Sequence, residues 1–264
     1  MAFARINDVL LHYRLQGPVG APVLALSNSL GTDARIWDAV IALLEGRYRI
    51  LSYDKRGHGL SDAPGGDYTI DDHVDDLAGL FDHLGMDRLA LAGISVGGLI
   101  GQSFALRYPE RLAGLILCDT APKVGDDAMW NGRMEAVRRD GMASIAGAVM
   151  VRWFTEAFRR DRADELAGWQ NMFERMPVQG YAGTCAALRD ADLRDAIDAI
   201  AVPTLVVVGD QDLSTPVDLV RDAAARIPGA HFEVIAGSGH IPSIEQPQAL
   251  AALMTRFLSE VGHG

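Results

Sequence analysis

The chain has 264 residues, of which 49% are hydrophobic, and carries a formal net charge of −11 at pH 7. A chain of this length can bury a large core, so we expect one α/β domain with an insertion. Nucleic acids and anionic membranes attract basic surfaces, which argues against both as partners. The sequence opens without a secretory pattern and has no apolar run of membrane-spanning length, which predicts a soluble cytoplasmic protein.

Apolar strand-like runs alternate with helical patterns along most of the chain. This alternation predicts a mostly parallel sheet covered by helices on both faces. Helical spacing of apolar residues predicts a helix over 69–84, and further helices are expected over 96–106, where small residues allow close packing on a sheet, and over about 246–260. The predicted strands cover residues 9–15, 23–27, 48–52, 88–92, 112–118, 204–208 and 231–235.

The stretch between Pro122 and about Ala201 has no strand signal and reads as helical throughout. It is too long for a single crossover between parallel strands, so it predicts a cap inserted over the carboxyl ends of the strands. The expected division is a core over 1–121, a helical cap over 122–201 and the rest of the core over 202–264.

Residues 93–97, Gly-Ile-Ser-Val-Gly, place Ser95 between a predicted strand and a predicted helix. A serine on such a sharp turn is a nucleophile elbow, and the turn needs glycine on both sides because its backbone is strained and crowded. The motif alone is a weak signal, but the strand before it and the helix after it make it specific. We expect Ser95 to be a catalytic nucleophile.

A serine nucleophile needs a base to accept its proton and an acid to orient that base. Among the seven histidines, His240 lies in a glycine-rich loop directly after the last predicted strand. His58 lies in an earlier turn, where a structural role is the better interpretation. We expect His240 to be the base.

Two carboxylates are candidates for the acid. Asp212 follows the strand that begins at Thr204, which is the usual place for the acid in this architecture, and Asp119 follows the preceding strand. We favour Asp212. Asp210 is better explained as a hydrogen-bond acceptor within the loop.

Acyl transfer also needs donors for the developing oxyanion. The N–H of Val96 is one candidate, since the elbow places it at a helix N-terminus. The second is the N–H of Leu30, in the loop Asn-Ser-Leu-Gly of residues 28–31. Esterases with the same arrangement of strand, elbow and helix usually have His-Gly at the positions of Asn28 and Ser29 in this chain.

With these motifs the chain resembles the α/β-hydrolases and, among them, the 3-oxoadipate enol-lactonases. General hydrolase features are found at residues 54–61, 93–97, 209–212 and 239–240. More specific similarity lies at residues 26–31, 129–133, 152–155, 179–182 and 187–192. The resemblance implies an eight-stranded sheet, no metal or other cofactor, and hydrolysis of an enol lactone in the protocatechuate branch of aromatic catabolism.

That substrate is small and carries a carboxylate, which requires a cation or N–H donors, and the cap offers cations. We expect Arg133, beside Trp130, to supply it, with Lys123 and Arg189 as the next candidates. The resemblance also implies that Asn28 and Ser29 contact the substrate.

Two other functions remain open at this point. One is a carboxylesterase or cofactor-free peroxidase of the same fold, which would act on neutral esters. The other is a ligand-sensing protein that keeps the hydrolase scaffold without turnover, although the set Ser95, Asp212 and His240 weighs against it. The sequence makes no prediction of oligomeric state.

Overall fold

The computed structural model describes all residues from 1 to 264 and contains one sheet of eight strands. In chain order the strands are β1 (Ala2–Ile6), β2 (Val9–Gln16), β3 (Val23–Ser27), β4 (Arg49–Tyr53), β5 (Leu89–Ile94), β6 (Leu112–Cys118), β7 (Thr204–Gly209) and β8 (His231–Ile235).

Eleven α-helices accompany the sheet. They are α1 (Asp38–Leu44), α2 (Ile70–His83), α3 (Val96–Arg107), α4 (Asp127–Asp140), α5 (Ala143–Trp153), α6 (Glu156–Asp161), α7 (Ala163–Glu174), α8 (Val178–Asp190), α9 (Val217–Arg226), α10 (Pro242–Glu245) and α11 (Pro247–Glu260). No helix has the length and apolarity that crossing a membrane requires.

The strand order is β1-β2-β4-β3-β5-β6-β7-β8, and only the pairs that involve β1 or β2 are antiparallel. Every residue of β5, β6 and β7 is buried. Central strands of a parallel sheet are covered on both faces, which is why these segments are nearly continuous apolar runs. The predicted α/β fold with a mostly parallel eight-stranded sheet is therefore confirmed.

The sequence expectation missed one strand and ended another two residues early, while the other strand ends agree within one residue. β1 was not anticipated; it pairs along its length with β2 as an antiparallel hairpin at the sheet edge. β5 continues two residues further than expected, because Gly93 and Ile94 pair with Leu117 and Cys118 of β6. The longer strand brings the chain to Ser95 without an intervening loop.

Helices α4 to α8 lie between β6 and β7, in the stretch where the sequence predicts a cap. These five helices form a helical layer, and its backbone contacts the core of the molecule closely. Gly180 of α8 approaches Gly57 so closely that a Cβ on Gly180 would lie 2.2 Å from the Gly57 carbonyl oxygen. The carboxyl ends of the parallel strands face this helical layer, and in open α/β sheets that edge is where ligands bind.

Candidate active site

Ser95 occupies a strained turn between β5 and α3. Its backbone angles are φ 57° and ψ −117°, outside the regions that side-chain-bearing residues favour. The turn is also crowded: a Cβ on Gly93 would lie 2.2 Å from the Gly97 carbonyl oxygen, and one on Gly97 would lie 2.4 Å from that of Ser27. The glycines of the motif are thus required by space, and the strain indicates a functional position.

His240 and Asp212 are joined by a hydrogen bond of 2.8 Å between Nδ1 and Oδ2. Both side chains are buried. Asp212 also accepts bonds from the Thr215 hydroxyl at 2.6 Å and from the Ser214 N–H at 2.7 Å. The His240 backbone N–H donates to the carbonyl of Trp153 at 2.8 Å, so α5 of the helical layer holds the histidine loop.

Asp119 lies against this pair, with its carboxylate, that of Asp212 and a ring nitrogen of His240 within 4.8 Å of one another. Burial, followed by the charge of Asp212, raises the pKa of Asp119 well above its usual range. Burial alone would also raise the pKa of Asp212. The charge of His240 and the hydrogen bonds that Asp212 accepts have the larger combined effect and lower that pKa. These opposite shifts make Asp212, the carboxyl bonded to His240, the more acidic of the two.

These three residues carry atoms of the kind that bind metal ions. However, the raised pKa of Asp119 disfavours its deprotonated form, and Asp212 is already bonded to His240. Divalent metals favour deprotonated ligands, so the arrangement fits a hydrogen-bonded pair better than a metal centre.

The candidate oxyanion donors belong to two different segments. Val96 is the first residue of α3, and Leu30 lies in the loop after β3. No backbone hydrogen bond of the turns and loops uses the N–H of either residue. The loop itself is held by buried groups: His58 Nε2 accepts from the Gly31 N–H at 3.1 Å, and Lys55 Nζ donates to the Ser29 carbonyl at 2.7 Å.

A cavity of about 110 Å³ lies between the strand ends and the helical layer. Pockets for drug-sized ligands measure roughly 300–1,000 Å³, so this cavity suits a small molecule. Its wall is largely apolar with a few polar side chains. The lining residues are Ser29, Leu30, Ser95, Val124, Gly125, Met129, Trp130, Arg133, Val149, Arg152, Trp153, Tyr181, Leu188, Ser214 and His240.

Two arginines, Arg133 and Arg152, supply the positive charge of this cavity. Both are half-buried, and neither forms an ion pair with a carboxylate of the chain. The Arg133 guanidinium lies 5.2 Å from the Trp130 ring centre and 3.4 Å from the Tyr181 hydroxyl. Arg152 donates to the Leu213 carbonyl at 3.2 Å. The cavity thus combines a serine and a histidine with two unpaired cations.

Six of the candidate residues line this cavity. Asp212 is bonded to His240 and Val96 follows Ser95, so both adjoin the cavity without lining it. Three other candidates lie elsewhere. Asn28 is fully buried and its amide turns back onto Thr32 of its own loop. Lys123 donates to the Arg189 carbonyl at 2.6 Å. Arg189 pairs with Asp67 at 3.3 Å and also with its neighbour Asp190.

Sequence reasoning missed the place of Arg152, Trp153 and Tyr181 in the cavity wall. All three belong to segments with specific similarity to the enol-lactonases, residues 152–155 and 179–182, which is the available signal. The direction of Arg152 and Trp153 depends on how α5 packs on α4 and α7, and no local pattern reports that packing.

Comparison with known proteins agrees with this geometry. A family model described as alpha/beta hydrolase fold matches residues 22–247. The chain is 38% identical to 3-oxoadipate enol-lactonase 2 of Acinetobacter baylyi, over 95% of both chains.

Among solved structures, the enol-lactonase from Burkholderia xenovorans LB400 has a TM-score of 0.95 and 38% identity, covering 98% of this chain and 100% of that one. A thermophilic esterase from Thermogutta terrifontis, solved with malate bound, has a TM-score of 0.92 and 32% identity, covering 98% of each chain. The chain therefore belongs to the α/β-hydrolase family, within which its sequence groups it with the enol-lactonases.

Proposed function

We propose that this chain hydrolyses 3-oxoadipate enol-lactone to 3-oxoadipate, in the β-ketoadipate pathway of aromatic catabolism, through an acyl-enzyme on Ser95. The observation that carries the proposal is the small cavity in which Ser95 and His240 face two unpaired guanidinium groups. Enol-lactonases from two organisms, each 38% identical to this chain, support the choice of substrate.

In the first half-reaction the Ser95 oxygen attacks the lactone carbonyl while His240 Nε2 accepts the hydroxyl proton. Asp212 bonds the Nδ1 side of the ring, which sets the tautomer that leaves Nε2 free to act as a base. The N–H groups of Leu30 and Val96 would bind the oxyanion of the tetrahedral intermediate.

Collapse of that intermediate breaks the ring C–O bond, and the ring oxygen leaves as an enol that receives the proton from His240. The enol becomes a ketone, which makes ring opening hard to reverse. A water activated by His240 then attacks the ester carbonyl, the Ser95 oxygen leaves and recovers a proton, and 3-oxoadipate is released.

Substrate selection would depend on the side chains that the helical layer contributes to the cavity. The acetate carboxylate of the lactone would pair with Arg133, and Arg152 offers a second guanidinium on the same wall. A charge-assisted hydrogen bond to a carboxylate contributes about 1.5–3 kcal/mol in a partly dry site. This charge preference distinguishes the proposal from an esterase that acts on neutral esters.

The test is an ultraviolet assay of lactone disappearance with purified protein. We expect kcat/KM for 3-oxoadipate enol-lactone to exceed that for a neutral enol lactone of the same ring, and for phenyl acetate, by at least roughly tenfold, the factor that one such bond supplies. Equal kcat/KM values for the charged and neutral lactones would contradict the lactonase proposal and indicate a general esterase. No turnover of any of the three would favour a ligand-binding role.

A further inference from the structure

Each proposed oxyanion donor is one half of a peptide group whose other half is a carbonyl. The Leu30 N–H belongs to the peptide that begins with the Ser29 carbonyl, and the Val96 N–H to the peptide that begins with the Ser95 carbonyl. Both peptides are trans, since the chain has no cis bond. The carbonyl therefore points away from the N–H and the cavity, into the protein.

Behind the first peptide lies Lys55. Its Nζ donates to the Ser29 carbonyl at 2.7 Å and to the neighbouring Asn28 carbonyl at 3.0 Å. The Lys55 side chain is only 1% exposed, which is rare for lysine because burial of an amine without a partner is costly. Its hydrogen-bond acceptors are these two carbonyls of the oxyanion loop.

Behind the second peptide lies Thr120, in the loop after β6. Its hydroxyl donates to the Ser95 carbonyl at 2.7 Å, and the residue is 2% exposed. Although they come from different loops, the two candidate donor peptides thus share one feature: a buried side-chain donor binds the carbonyl on the side away from the cavity.

Hydrogen bonds in series strengthen one another, because a bond to a carbonyl draws electron density from the N–H of the same peptide. Condensed-phase strengthening is about 10–30% per bond, and the low dielectric of a buried site favours it. The effect does not depend on the charge of Lys55. Burial lowers the pKa of Lys55 well below its usual range, but a neutral amine still has two N–H groups for the two carbonyls.

We propose that Lys55 and Thr120 are positioning residues of the oxyanion site, which orient the Ser29–Leu30 and Ser95–Val96 peptides and polarise their N–H groups toward the reacting oxygen. This inference rests on the proposed function, because it needs Ser95 to form a tetrahedral intermediate.

The central experiment compares two threonines with the same local chemistry. Thr204 is also 2% exposed, and its hydroxyl donates to the Val202 carbonyl at 2.7 Å, but that carbonyl belongs to no proposed donor peptide. We expect Thr120→Val to lower kcat for phenyl acetate about tenfold with KM unchanged, since removal of a whole oxyanion donor costs about 10²–10³. Thr204→Val should change kcat less than about twofold, although it should lower the melting temperature about as much as Thr120→Val does.

The second readout is inhibition by phenylboronic acid, which forms a B–O bond with the Ser95 oxygen and mimics the anionic tetrahedral state. Lys55→Met and Thr120→Val should each weaken inhibition by a factor similar to their loss in kcat, whereas Thr204→Val should not. Folding of every variant is checked by circular dichroism, and Thr120→Val keeps the test valid if Lys55→Met does not fold.

The outcomes separate the inference from the proposed function. Equal kcat losses in Thr120→Val and Thr204→Val, or boronate inhibition unchanged in Thr120→Val, would overturn the inference alone. Wild-type turnover of phenyl acetate by Ser95→Ala would overturn the proposed function and the inference with it. A parallel loss of kcat and boronate affinity, absent in Thr204→Val, supports both.

Discussion

The two walls of the cavity differ in how firmly their polar groups are held. On the strand side, Ser95, Asp212 and His240 are each less than 9% exposed. The Asp212 carboxylate alone receives bonds from His240, Thr215 and Ser214. On the helical side, Arg133 and Arg152 are half-buried and make only hydrogen bonds to neutral groups.

This difference separates chemistry from selection. Groups that move protons need fixed geometry, because a small misplacement removes the near-attack arrangement. A cation that is not paired within the protein keeps its charge available for a substrate carboxylate. We therefore expect changes on the strand side to reduce turnover of every substrate and changes on the helical side to act on charged substrates alone.

The largest effect should follow Ser95→Ala. Loss of a triad nucleophile lowers kcat by roughly a million-fold, and the loss should be the same for charged and neutral lactones. The melting temperature should not fall, because alanine is smaller and keeps the backbone of the elbow. Turnover near the wild-type rate would end the acyl-enzyme mechanism.

The second-largest effect is expected at Asp212, and it distinguishes this carboxyl from that of Asp119. Asp212→Asn should lower kcat by roughly ten-thousand-fold, because an amide cannot hold the His240 tautomer or stabilise its positive form. Asp119→Asn should cost far less, since the Asp119 carboxyl accepts a bond from the Gly209 N–H and makes none to His240. Steady-state kinetics on a neutral ester measure both.

The opposite ranking of these two variants would make Asp119 the orienting acid. It would also mean that the pKa order of the pair is the reverse of the one argued from burial and hydrogen bonding.

Arg133→Met should have the smallest effect on chemistry but the clearest effect on selection. Removal of one guanidinium should lower kcat/KM for the anionic enol lactone by roughly ten- to a hundredfold and leave the neutral lactone almost unchanged. Arg152→Met should show the same selectivity with a smaller loss, because one N–H group of Arg152 is already bonded to the Leu213 carbonyl.

Arg189→Met is the matched control for the cap arginines. Arg189 is bonded to Asp67 and Asp190 and does not line the cavity, so its removal should change kcat/KM less than about twofold. Equal losses on the anionic and neutral lactones in Arg133→Met would show that Arg133 supports the helical layer instead of binding the carboxylate.

Much of the fold could be predicted from the sequence because its causes are local. The apolar runs of β5, β6 and β7 follow from burial on both faces, and helix α2 follows from the helical spacing of its apolar residues. Of the two glycines of the motif, only Gly93 is required by an atom of the same turn, the Gly97 carbonyl oxygen; Gly97 is required by Ser27 of a neighbouring strand.

The cavity and the electrostatics were decided only by the tertiary structure. Asp119 and Asp212 follow strands in the same way along the sequence, yet only packing raises the pKa of the first by burial and lowers that of the second through His240 and hydrogen bonds. Arg133, Arg152 and Arg189 are chemically identical, and the packing of α4, α5 and α8 directs the first two into the cavity and the third toward carboxylates of the surface. Local spacing specifies which elements form; the direction of a long side chain and the charge of a buried carboxyl depend on neighbours that are distant in sequence.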